Sequence, residues 1–129
     1  MGPTLALQVR SPAARAAQPQ RALLGHLAGL ACGAVAKTIV NSLPVNIFTE
    51  VSVDASHLDA AAGALALGTT LALTHRLDAD HPPAAATTLI VALGLVPATG
   101  PALLRAAGAL CVVVVLGELL RRRALRWVP

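Results

Sequence analysis

Tyrosine is absent from this 129-residue chain, phenylalanine and tryptophan occur once each, and charged residues make up only 12%. Two aromatics make no platform for stacking bases. The net charge of +4 is concentrated towards the two ends, so nucleic acid is not an expected partner. The low charge excludes more. An ordinary soluble domain carries about 25% charged residues, and half of that cannot coat a soluble protein of this size. Cysteine is equally scarce. Cys32 and Cys111 fall inside apolar blocks, far from any His or Cys at metal-ligand spacing, and read as small buried hydrophobes. No HExxH, glycine-rich phosphate loop or Ser/His/Asp pattern of familiar form occurs. No enzyme activity, metal or cofactor is therefore expected. The opening "MGPTLALQV" has neither a charged leader nor a full-length apolar core, which argues against a cleaved signal peptide.

What is abundant is apolar sequence, 56% of the chain, arranged in blocks and not on amphipathic faces. That pattern predicts an all-α polytopic helix bundle in a lipid bilayer. Four blocks stand out: 22–43, 58–74, 84–96 and 102–120. The first and last are long enough to span a bilayer, the second is at the lower limit, and the third is short at about 20 Å as a helix. Seven of the ten Lys and Arg residues lie in the N-terminal arm or C-terminal tail, whereas Pro44 to Ser56 holds Glu50 and Asp54 and no basic residue. Four crossings with the positive side inward put both termini in the cytoplasm, a bacterial plasma membrane being the expected setting.

The first block carries Gly25, Gly29 and Gly33, one every fourth residue. Such a stripe lets another helix approach closely. His26 and Lys37, eleven residues apart, fall nearly on one azimuth beside it. Because four short helices enclose little room, the stripe predicts a homo-oligomer, most simply a dimer through or near this face. A weak internal repeat is also visible, from Leu5 ("LALQVRSPAARAAQPQRALLGHL") and from Leu71 ("LALTHRLDADHPPAAATTLIVAL"). It suggests two related halves, as in transporters with short helices near a central site.

Two segments carry a family likeness. "HPPAAATTLI" at 81–90 resembles the motif that names the HPP family of integral membrane proteins. "AAQPQRALLGHLAGL" at 16–30 is similar to that family's other marked segment, an Ala-Gln-Pro-Arg-Asn run leading to Gly-Gly-His. Gln20, Arg21, Leu24 and Ala85 depart from the usual pattern. Family members usually carry another transmembrane helix ahead of "MGPTLALQV", and this chain starts where that helix would be ending. Some plant and cyanobacterial members are implicated in nitrite transport, so the resemblance implies passage of a small inorganic anion.

Physically, the motif admits two readings. With His81 as N-cap, Pro82 and Pro83 would fill the first helical positions, where a missing N–H costs nothing. Alternatively, the positive end of that helix faces an anion. The donors left would be the Ala84 N–H and the His81 imidazole. Gln18 and Pro19 mark the corresponding position ahead of the first block. The candidate substrate-binding set is therefore His81, Pro82, Pro83, Ala84, His26, Lys37, Gln18 and Pro19, with Gly25, Gly29 and Gly33 for helix packing. Lys37 needs a partner or water, and Asp59 is available, so an ion pair and an anion relay are both open. Glu118 has Arg121 and Arg122 at i+3 and i+4 and reads as a surface ion pair. Asp78 and Asp80 read as a solvated loop. The rival to transport is an accessory subunit that docks a partner through the glycine face.

Overall fold

The computed structural model describes residues 2–43 and 55–126; the acidic segment holding Glu50 and Asp54 lies outside them. Five α-helices run in order: α1 (Gly2–Arg10), α2 (Pro19–Ser42), α3 (Ala55–Arg76), α4 (Ala84–Ala92) and α5 (Gly100–Leu125), with a 3₁₀ turn at Arg15–Ala17 before α2. The described residues are all helix and turn. Of these helices, α2 and α5 are long and apolar enough to cross a membrane. The remainder of the four-span expectation is changed. Helix α3 is longer than the block at 58–74, and α4 stops at Ala92 instead of reaching 96. Beyond Ala92 the chain turns at Gly94, whose φ of 75° is left-handed, and the Val96 N–H returns to the Ile90 carbonyl at 3.1 Å. Helix α1, too short for a span, packs against α5.

The core is built around α2, which contacts α3, α4 and α5. Its glycine stripe faces α4 at a distance that excludes side chains. A Cβ on Gly29 would stand 2.7 Å from Thr88 Oγ1 and 3.0 Å from the Ala84 carbonyl; one on Gly33 would stand 2.7 Å from the Thr88 carbonyl. The glycines bring α2 and α4 together inside one chain. The stripe itself is covered by α4, so a dimer would have to form beside it and not through it.

One end of the bundle collects positive charge. Arg10 ends α1 and Arg76 ends α3. Asp78 accepts hydrogen bonds from both Arg15 (2.7 Å) and Arg21 (2.8 Å to Nη1), tying the loop after α3 to the start of α2. Arg121 pairs with Glu118 and also donates to the Pro12 carbonyl at 3.2 Å, which fastens the end of α5 to the same place. Asp78 is therefore no idle loop residue. It sits at φ 50°, with its N–H on the His75 carbonyl and the Ala79 N–H on the Thr74 carbonyl, a left-handed closure of α3. Its two arginine partners hold its carboxyl below the usual carboxylate range, the Arg21 hydrogen bond contributing most. The aligned segments at Leu5 and Leu71 each run from a helix ending in Arg to a proline-marked helix, but those second helices have 24 and 9 residues. The likeness of the halves goes no further.

Candidate functional site

The HPP segment departs from the simple cap. Helix α4 begins at Ala84, and Pro83 occupies the N-cap position with no side-chain cap bond. The two prolines form a tight turn instead, in which the Ala84 N–H donates to the His81 carbonyl (2.8 Å) and the Ala85 N–H to the Pro82 carbonyl (3.2 Å). The Ala84 donor expected for an anion is thereby used within the turn. Freed from capping, the His81 side chain points into the bundle, where it is 4% exposed.

There it joins groups from α1, the 3₁₀ turn, α2 and α4. His81 Nδ1 lies 2.8 Å from the Ala16 carbonyl, and its Nε2 lies 3.3 Å from Thr4 Oγ1 on α1. The same hydroxyl is 2.9 Å from His26 Nε2 on α2, and His26 Nδ1 is 2.7 Å from Thr87 Oγ1 on α4. The two rings meet edge to face with centroids 5.0 Å apart. His26 and Thr4 are as deeply buried as His81.

Bond logic fixes the protons. A carbonyl only accepts, so His81 carries its proton on Nδ1. An uncompensated charge on either ring is costly in this apolar interior, and two charged rings so close would also repel, so both rest neutral. His81 Nε2 is then an acceptor, and the Thr4 hydroxyl donates to it. Thr4 in turn accepts from His26 Nε2–H, which leaves His26 Nδ1 to accept from the Thr87 hydroxyl. Every member is satisfied, and all four bonds point the same way, from Thr87 to Ala16. A fully satisfied network of this kind rigidifies a core.

Cavities lie on two sides of the cluster. One, about 170 Å³, is bounded by Thr4, His26, Thr87, Ile90, Ala106 and Leu110. The other, about 340 Å³, is bounded by Thr70, Thr74, Asp80, His81 and Ala84. The start of α4 separates them.

The remaining candidates fall elsewhere. Lys37 continues the glycine stripe and reaches Gly94 at the far end of α4, where it pairs with Asp59 of α3. Eleven residues of helix put it about 16 Å along the axis from His26, so the two do not share a site. The open cavity beside Lys37, about 570 Å³, is lined by Thr38, Asn41, Ser42, Gly94 and Thr99. Gln18 is exposed, and its side chain accepts from Arg21 Nε at 3.2 Å; Pro19 is the first residue of α2. Neither hydrogen-bonds to His81; the residue from this segment that does is Ala16, through its carbonyl. The threonines divide between local and cross-helix bonds. Thr69 and Thr74 bond back to their own helix, whereas Thr88 Oγ1 lies 3.1 Å from Thr70 Oγ1. Thr4 is a site residue that sequence reasoning does not single out. Its signal is slight: with Gln8 it forms a polar i,i+4 pair in a short apolar stretch, and both are fully buried.

The family model described as "HPP, transmembrane region" matches residues 1–127. The chain belongs to the HPP family of membrane proteins. Neither curated proteins nor solved structures match it. In this HPP protein the naming motif thus has a definite structural role, because its prolines turn the chain so tightly that the histidine is directed inward.

Proposed function

We propose that this HPP protein carries a small inorganic anion across the membrane, nitrite being the candidate that the family likeness supplies. The observation that carries the reading is the buried Thr87–His26–Thr4–His81 cluster with a cavity on either side. Ionisable side chains are costly within a bilayer and usually mark pathways when they face the bundle interior. Lys37 also borders the open cavity at the opposite end, but its ion pair with Asp59 offsets its charge, so the reading does not rest on it. The arginine-rich end faces the cytoplasm in this reading. The rival reading, docking of a partner on the glycine face, is less favoured because α4 occupies that face.

The test is uptake by proteoliposomes of purified protein. Nitrite flux above that of empty vesicles is expected, with a clear loss for His81→Ala in protein that still folds. Absence of flux for nitrite, nitrate, formate and chloride alike would end the transport reading.

A further inference from the structure

We propose that the Thr87–His26–Thr4–His81 chain is a proton relay, and that an anion in the cavity beside His81 is bound together with one proton delivered from the cavity on the other side of α4. The inference rests on the anion reading above and adds the coupled ion and its route.

The geometry supplies the route. Thr87, His26 and Thr4 border one cavity, and His81 borders the other, so the hydrogen-bonded chain runs between them. All four bonds point one way. A proton arriving at Thr87 Oγ1 lets the Thr87 hydroxyl proton pass to His26 Nδ1. His26 then releases its Nε2 proton to Thr4, and the Thr4 proton passes to His81 Nε2. Each oxygen and His26 ends with as many protons as it began, and His81 alone gains one, becoming an imidazolium. Its Nδ1–H stays on the Ala16 carbonyl throughout.

The energetics supply the coupling. An imidazolium at this depth is costly unless a negative charge accompanies it. The surroundings provide little of that charge. Helix α1 offers Thr4; α2 offers Gly25 and His26, with Arg21 further out; α3 offers Thr70 and Thr74; α4 offers Thr87. The turn before α2 offers the Ala16 carbonyl, beside Arg15, which is committed to Asp78. Asp80 borders the same cavity, yet its carboxylate lies 3.7 Å from His75 on the exposed side. An anion in the cavity completes the charge balance. By linkage, the anion must then strengthen proton binding by the same factor as the proton strengthens anion binding.

Three measurements on the full chain test this. The first needs no solute: nitrogen-15 NMR of histidine-labelled protein in bilayers should find His81 with its proton on Nδ1 and His26 with its proton on Nε2. The reverse assignment at either ring breaks the relay and overturns the proposal. The second is calorimetric titration with sodium nitrite in two buffers of different ionisation heat. One proton should be taken up per nitrite near neutral pH, and affinity should weaken about tenfold for each unit by which the pH is raised there. His81→Gln should abolish the proton uptake. Thr4→Val should slow nitrite flux in proteoliposomes about tenfold, with Thr4→Ser restoring it. Nitrite binding without proton uptake overturns the relay and leaves the anion reading intact; no binding of nitrite, nitrate, formate or chloride overturns both.

Discussion

Helices α2 and α5 are both long and apolar enough to cross a membrane, yet 44% of the most apolar stretch of α2 is buried in the bundle against 17% for α5. Hydropathy alone does not separate them. Glycine spacing does. In α2 the glycines recur every fourth residue and form one face, which α4 covers; in α5 they stand at 100, 108 and 117, on no common face. Helix α5 instead leaves Leu104, Val112, Val115 and Leu119 exposed, as suits a surface against lipid. In a bilayer, apolar side chains gain little by leaving lipid for protein, so close backbone approach decides which helix goes inside.

The largest test fills the tightest point of that approach. In Gly33→Leu a Cβ alone would stand 2.7 Å from the Thr88 carbonyl and 3.0 Å from Val91 Cβ, and backbone cannot swing aside as a side chain does. Loss of about 3 kcal/mol or more is expected, read as unfolding in a denaturing-detergent titration. Near-normal stability would mean that α4 does not pack on the stripe.

A smaller effect is expected at the one place where α5 behaves like α2. Gly117 is covered by the Gln8 amide, so closely that no Cβ fits between them. Gln8 is fully buried, and neither of its amide atoms has a hydrogen-bond partner among the described residues. Gly117→Ala should cost about 1–3 kcal/mol by overpacking. Gln8→Ala in the same chain should recover much of that loss, because it removes both the collision and an unpaired amide. Simple additivity of the two substitutions would show that they do not touch.

The contrast also explains what the sequence makes legible. Membrane insertion, the close spacing of Gly25, Gly29 and Gly33 and the Glu118–Arg121 pair follow from composition and helical spacing, whereas the Lys37–Asp59 pair is one of two readings that the sequence leaves open. The partner of the stripe does not follow, since close packing looks the same whether α4 or a second chain supplies it. The site is half legible. His26 and His81 can be singled out as inward histidines. That they meet depends on the tight Pro82–Pro83 turn, and their link depends on Thr4 of α1, a helix too short to show in hydropathy. Asp78 looks like a solvated loop residue because its arginine partners lie 57 and 63 residues away in the chain.

Asp78 gives a test smaller again. Its carboxyl is held below the ordinary range, first by the Arg21 hydrogen bond and then by the nearby charges of Arg15 and Arg21. A depressed folded value means that the stabilisation is present above the unfolded carboxylate value and is lost as pH falls through the folded one. Acid should therefore loosen this end of the bundle only below the ordinary carboxylate range. Asp78→Asn, which also tolerates a left-handed φ, should reduce that acid dependence while keeping the α3 closure. Asp78 and Arg15 are exposed, so the effect should shrink in high salt. An acid transition unchanged by the substitution would place its cause elsewhere.

The smallest effect belongs to Gly108, in the middle of α5. A Cβ there would meet nothing within 4 Å, in contrast to every position of the α2 stripe. Glycine in a helix interior is disfavoured relative to alanine by roughly 0.8–1 kcal/mol in water, because it has more backbone freedom to lose. With no neighbour to displace, Gly108→Ala should leave the fold intact and stabilise it by at most about that amount, a small shift to higher detergent in the same titration. Lipid weakens this gain, since a helix within a bilayer is already held by its own hydrogen bonds, so a change near zero also fits an open, lipid-facing glycine. Destabilisation comparable to that of Gly117→Ala does not. It would mean that another surface closes over this face of α5, and that the difference between the two helices is one of partner and not of exposure.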